Sequence, residues 1–448
     1  MKSNRLSKNR LILGLISVLI VLLQVNQWLF AISHVEKHHE FEVGSEGTSD
    51  ARSNHDPPVA GTVGTPKKVL ERRARKEKLE EEKRRMQEPP RLVTGLPVRN
   101  NDSDNHQTMS ACLLVMDDNH YLIEWLAYHY LILPLRYLII AVDPRSKTSP
   151  TSILERWKDR MTIVEWSDED FLPVDWVHHD RELNEEDSRQ KFNLHRERQR
   201  NFYPTCLRAL RNVHREWTTC IDSDEFLHMN PNYRLVKENS QYRHPPTIRD
   251  AIDKSYQDVE LGTTSCITVP RLRFGNYENV SDESASITST ISNESETSEL
   301  LQTIPNQRFL TLRWKYRSPF QSKHNNGMPK SMVDVSQIAN YSRQETDAHR
   351  PVRSECPRRN LYMPNLVSPL VVNHYVGTYE QYTFRDDARA GMKQRDDERF
   401  AWYGTIQDGV DASIAPWLGR FVQEVGLQEA RRLLEGVGDA NFTLKASS

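Results

Sequence analysis

An excess of either charge is the first thing this chain lacks: 60 Lys and Arg stand against 62 Asp and Glu in 448 residues, a net of -2. Nucleic-acid binders carry a basic footprint, so a nucleotide polymer is excluded as the main partner. Cysteine is scarce, with five residues and no C-x-x-C pair, which argues against a zinc ribbon. Cys112, Cys206, Cys220, Cys266 and Cys356 permit two disulfides and one free thiol in an oxidising compartment. Cys112 and Cys220 lie in apolar runs where buried thiols are equally at home, and the spacing does not fix a pairing. No heptad seam runs through Val69, Leu70, Leu79 and Met86, which excludes a coiled coil there. Long hydrophobic runs are absent too, with one exception.

That exception is Leu11 to Ser33, which has no charged residue and is dominated by Leu, Ile and Val. As a helix it is long enough to cross a hydrocarbon core of about 30 Å. A cleaved signal peptide is the rival reading, but the run is long for one and no small-x-small site follows it. Lys2, Arg5, Lys8 and Arg10 precede it, so residues 1–10 are expected in the cytosol and the rest across the membrane. The expectation is a single-pass type II anchor at 11–33. The sequons at Asn101, Asn279, Asn293, Asn340 and Asn441 fit a lumenal body.

Residues 34–107 read as a stem. Its first part is polar, with Gly, Ser and Pro, and should form no core. Lys67 to Glu88 then carries ten basic and six acidic residues, with Glu71 and Arg75, Glu80 and Arg84, and Glu81 and Arg85 in the favourable i,i+4 order. A charged spacer helix at 67–88 follows, ended by Pro89-Pro90.

The texture changes at 108. Ala111 to Met116 reads as a buried strand, and an amphipathic helix follows through Tyr121, Leu122, Trp125, Leu126 and Tyr130. Arg136 to Val142 and Met161 to Trp166 are two more strands, separated by a short helix over 150–160. Leu194 to Trp217 reads as a helix, with Pro204 tolerable only near its first turn and Arg196, Arg198 and Arg200 on a solvated basic face rather than in contact with phosphate. Residues 276–306 look like an exposed low-complexity insertion, Phe309 to Tyr316 like a strand, Leu366 to Val372 like an apolar patch, and 415–436 like a helix before a short tail at 437–448. Alternation of strands and helices predicts an α/β fold with a largely parallel sheet.

Ligands of such sheets sit beyond the carboxyl ends of the strands, where Asp117, Asp118, Asp143 and the run Asp222-Ser223-Asp224-Glu225 all fall. The last cluster closes the apolar run Trp217 to Ile221. Three carboxylates at the end of a hydrophobic strand are costly unless a cation holds them. A divalent metal carrying a diphosphate would do so, and Asp222 and Asp224, two apart, would face one side of a regular strand.

Four segments resemble a GT-A glycosyltransferase, and more narrowly glycosyltransferase family 92. They are Asp117 to His129, Trp217 to Phe226, Lys330 to Val333, and Asn373-His374-Tyr375 with Gln381 to Arg385. Together they span about residues 109–390, and this chain has Asp118-Asn119 where the family shows Asn-Glu. The resemblance implies a GT-A fold over 108–436 and transfer from a UDP-sugar to a glycan or glycoconjugate in the Golgi or ER lumen. It implies Mn2+ (or Mg2+) on Asp222 and Asp224 with His374 as third ligand, and Glu225 closing the turn or steadying the ligands. Asp117, Asp118 and Asp143 would meet the uracil and ribose, and Lys330 and Arg385 the diphosphate or salt-bridge partners. An inverting reaction needs a carboxylate base, for which Asp386 and Asp387 stand in position after His374. Two rivals stay open: a catalytically silent sugar- or protein-binding relative, and an anchored metal-dependent phosphohydrolase.

Overall fold

The computed structural model describes residues 73, 76, 107–173, 188–230, 247–257, 265–278, 295–320, 322–338, 349–352, 354–356, 368–384 and 397–439. The expected anchor at 11–33, nearly all of the stem, all five sequons and residues 385–387 lie outside them. Among the described residues no helix is long and apolar enough to cross a membrane. The chain divides into Met1–Arg75 and Lys76–Ser448. Of the first unit only Arg73 is described, exposed and helical. The second holds two sheets.

Six strands make the first sheet: β1 (Met109–Val115), β2 (Leu135–Val142), β3 (Thr162–Trp166), β4 (Trp217–Thr219), β6 (Cys266–Val269) and β9 (Lys330–Asp334), in the order β3-β2-β1-β4-β9-β6. The first four are parallel, and β9 runs antiparallel to both β4 and β6. Strand order reverses between β1 and β4, and the crevice beyond the carboxyl ends at such a reversal is where open α/β sheets take their ligands. A second sheet was not anticipated. It holds β5 (Glu225–Met229), β7 (Arg271–Phe274), β8 (Tyr316–Arg317), β10 (Leu370–Tyr375) and β11 (Gly409–Val410), in the order β11-β8-β7-β10-β5. The α/β class therefore holds: the six-stranded sheet is mostly parallel, as expected, and the second sheet is mixed.

Period-two alternation sends the faces of the first sheet into separate cores. Ala111, Leu113, Leu138 and Ile140 pack into one with the Asn119–Ile132 helix, while Cys112, Tyr137, Ile139 and Ala141 meet the Ser188–Asn212 helix on the other. Strands covered on both sides carry near-continuous apolar runs, which is why they were readable.

Several expectations are corrected. The Asn119–Ile132 helix is not amphipathic: every residue from Asn119 to Tyr130 is buried, because the Trp417–Val425 and Leu427–Leu434 helices pack on the side away from the sheet. Its polar groups have work inside. Glu124 accepts the Leu310 and Thr311 N–H groups at 2.6 and 3.1 Å and the Thr311 hydroxyl at 2.5 Å. That carboxylate closes a helical turn over Leu310–Arg313 where a strand was expected, leaving only Tyr316–Arg317 extended. The expected loop insertion carries a helix, Ser295–Thr303, docked by Leu300 against the C-terminal helices. The single helix foreseen over 415–436 is broken in two at Gly426, whose φ of +82° ends the first piece. Pro204 lies well inside Ser188–Asn212 rather than in its first turn. Arg198 is not on a solvated face but buried, 2.7 Å from Asp168 and 3.7 Å from Asp143. The fold contains two disulfides, Cys112–Cys206 and Cys266–Cys356, and Cys220 is a buried free thiol.

Candidate functional site

The acidic run is where the chain changes sheets. β4 stops at Thr219, Cys220 and Ile221 are buried, and a turn closed by the Glu225 N–H donating to the Asp222 carbonyl at 3.1 Å delivers Glu225 as the first residue of β5. Asp222 and Asp224 therefore do not share a strand face, as the two-residue spacing had suggested.

Asp222 faces the six-stranded sheet, where its Oδ2 is 2.8 Å from Nζ of Lys330 on β9. The same buried ammonium is 3.2 Å from Oε2 of Glu225, which also accepts the Asp222 N–H at 2.9 Å. Arg271 on β7 reaches the other Glu225 oxygen at 3.2 Å. Asp224 faces the five-stranded sheet: its Oδ2 is 3.5 Å from Nε2 of His374 on β10, and its carbonyl accepts the Tyr375 N–H at 3.0 Å. One carboxylate oxygen from each of Asp224 and Glu225 and one ring nitrogen of His374 all lie within 4.8 Å of one another. Asp222 is not in that group.

Burial pushes the Asp222 carboxyl up, but the Lys330 ammonium outweighs it and holds the group down at about 2. The Asp222 side chain is 44% exposed, so its ion pair weighs less than the one made by Glu225, which is wholly buried. Burial opposes the charge on Lys330 as well, yet Asp222 and Glu225 together raise it. The Glu225 carboxyl is raised too, although a lone Lys contact would lower it. It loses its hydration entirely and has Asp222 and Asp224 as like-charged neighbours, and both effects work against Lys330 and Arg271. Burial takes His374 down to about 4 against the pull of Asp224, so the imidazole is neutral at pH 7. Its Nδ1 is buried with no hydrogen bond among the described residues. Two carboxylate oxygens and a neutral imidazole are a donor set that suits Mn2+, so the residues fit the expected metal.

Of the carboxylates on the lips of β1 and β2, Asp117 and Asp143 are engaged in building a loop. Asp117, at φ +55°, accepts through Oδ1 from the Lys147 N–H at 2.6 Å and from the Thr148 N–H and hydroxyl at 3.0 and 3.2 Å. Asp118 accepts the Met116 N–H at 3.2 Å. Asp143 takes the Arg145 N–H and guanidinium at 2.7 to 3.0 Å. Burial alone would raise its carboxyl, but Arg145 and Arg198 outweigh that and lower it. All three stand where the sequence put them, at strand ends. Asp117 and Asp143 shape the 143–149 loop, a structural duty that leaves Oδ2 of Asp117 buried without a hydrogen bond among the described residues. Lys330 stands in a salt bridge, the second of the two roles weighed for it. Arg385, Asp386 and Asp387 lie outside the described residues.

Arg271 and Arg273 were not foreseen at this site. The alternation Arg271-Leu272-Arg273-Phe274 is a signal that could have marked them, since it gives one basic and one apolar face to a short strand. No protein-family model matches the chain, and no curated protein matches it in sequence.

Proposed function

We propose that this chain is a metal-assisted glycosyltransferase with a GT-A fold, moving a sugar from a UDP-sugar to a glycan or glycoconjugate with inversion. In this reading residues 11–33 anchor it in the Golgi or ER membrane as a type II protein, and the body from 108 onward is lumenal. One observation carries the reading: Asp224, Glu225 and His374 converge beyond the carboxyl end of β4, beside the strand reversal where an α/β sheet takes its ligand.

Asp224 and His374, with Glu225 beside them, would hold Mn2+, which supplies positive charge against the diphosphate as it leaves. Lys330 keeps Asp222 ionised and holds Glu225 in place. The loop shaped by Asp117 and Asp143 would border the uridine. Asp386 or Asp387 would take the acceptor hydroxyl proton.

The test is UDP release by the purified full chain, offered a panel of UDP-sugars with and without Mn2+. Release that needs the metal and is lost in Asp224→Asn and His374→Ala is expected. No release from any donor under either condition would overturn the transferase reading. A catalytically silent relative is the second reading, favoured by the Lys330 ammonium that already neutralises part of the acidic cluster. It would bind a UDP-sugar and release nothing.

A further inference from the structure

Arg271 and Arg273 are two apart on β7, so their side chains share one face of the second sheet. Parallel pairing sets Arg273 opposite His374, and antiparallel pairing sets His374 opposite Glu225. Arg273, His374 and Glu225 therefore form a row across three strands, with the candidate metal ligands at one end and a guanidinium at the other. Cross-strand neighbours of this kind stand close enough to interact directly.

Arg273 is an unusual cation. It is 6% exposed, and its Nε and Nη1 are buried with no hydrogen bond among the described residues. Its guanidinium carbon stands 5.2 Å from the Tyr403 ring centre and 6.0 Å from that of Trp402. Burial lowers its pKa to about 10, Arg271 and Arg399 push the same way, and Tyr403 and Asp224 only partly oppose them. Several guanidinium groups thus gather around one that makes no ion pair with a carboxylate among the described residues. A buried charge without hydrogen-bonded compensation is costly, and an anion supplied from outside would remove that cost.

The shape fits as well as the charge. The planar fork of a guanidinium matches phosphate oxygens two at a time. Arg271 has Nε on the Asn326 carbonyl at 2.8 Å and Nη1 on Glu225, which aims the group across the site. Gly327, at φ +68°, sits against both arginines, and a Cβ there would strike Nη2 of Arg271 and come within 3.5 Å of Nη2 of Arg273. The glycine keeps that approach open.

We propose that Arg273, backed by Arg271, is a clamp for a phosphoric anhydride that binds the group through guanidinium contacts alone, without a metal. The choice of a diphosphate as the anion rests on the transferase reading above. The clamp itself rests on the arginines. Arg273 is then a positioning and binding residue that acts before and apart from the Asp224 and His374 set.

The experiment is calorimetric titration of inorganic pyrophosphate into the full chain in EDTA, for wild type, Arg273→Gln and Arg273→Lys. Saturable binding by wild type is expected. Affinity should fall about tenfold or more in Arg273→Gln, the size expected for losing charge-assisted hydrogen bonds, and recover in part in Arg273→Lys. Absence of saturable binding by wild type in EDTA overturns the clamp without any variant having to fold. Equal affinity in wild type and Arg273→Gln overturns it too. A chain that binds pyrophosphate through Arg273 yet releases UDP from no donor sinks the transferase and leaves the clamp standing. A chain whose UDP release is unchanged in Arg273→Gln sinks the clamp alone.

Discussion

Replacing Lys330 with Met tests the electrostatic centre of the site. The ammonium is buried between Asp222 at 2.8 Å and Glu225 at 3.2 Å, and Met fills nearly the same volume without the charge. Half-exposed Asp222 can turn to water, but Glu225 cannot, and it would keep only Arg271 and the Asp222 N–H. Removing one partner of a buried pair costs about 3–5 kcal/mol. Relief of Lys330's own lost hydration pulls this toward the lower end, roughly 3 kcal/mol. At about 2–4 °C per kcal/mol, the melting point should fall by roughly 6–12 °C at pH 7. The pH dependence has a definite sign. Asp222 is held below its ordinary 3.8, at about 2, so its contribution is full above that ordinary value and fades as pH falls through about 2. The gap between wild type and Lys330→Met should therefore narrow from pH 5 toward pH 2. Adding Glu225→Gln to the variant should restore part of the loss, because it removes the stranded charge. Thermal melts of the three proteins across this pH range decide the matter. A Lys330→Met melting point within about 2 °C of wild type at pH 7 would refute the account.

Glu124→Gln addresses a second buried carboxyl, pushed by burial from 4.5 to about 7 against the hydrogen bonds from residues 310 and 311. The folded state keeps its proton longer than the unfolded chain, so wild type should lose about 3 kcal/mol relative to Glu124→Gln as pH rises from 4.5 to 7. Urea midpoints at pH 5 and pH 8 would show it, and parallel profiles would contradict it. Arg198→Met strands Asp168 and weakens the hold on Asp143, and a loss of about 3–5 kcal/mol is expected by denaturation. A change under about 1 kcal/mol would mean that water reaches the pair. The two disulfides close segments 94 and 90 residues apart, each worth about 4–5 kcal/mol in the chain-entropy account. Alkylation without reductant should label Cys220 alone, and only after unfolding; labelling of any other cysteine would dispute the pairing.

What could be read from residue order depended on how local the cause was. β1, β2 and β10 announce themselves as apolar runs because each is covered by other elements. The Phe309 to Tyr316 stretch misled because its helix is held by Glu124, 186 residues away in sequence. Arg198 looked solvated because Asp143 and Asp168 are remote in the chain. The second sheet was hidden for the same reason: the chain enters it at Asp222 to Asp224 and again at Pro270, and neither step has a local mark. At the site, the acidic run pointed to the right turn. Its division, with Asp222 toward Lys330 and Asp224 toward His374, depends on strands that arrive more than 100 residues later. The expected anchor at 11–33 and the expected bases Asp386 and Asp387 lie outside the described residues.

The turn between β4 and β5 belongs to both sheets at once, with Asp222 tethered to β9 and Asp224 to β10. The gap between those two carboxylates is therefore a gauge of how the sheets lie against each other. A guest that draws the carboxylates together must pull on both layers. Conversely, a substitution far out in either layer can retune the turn without touching it.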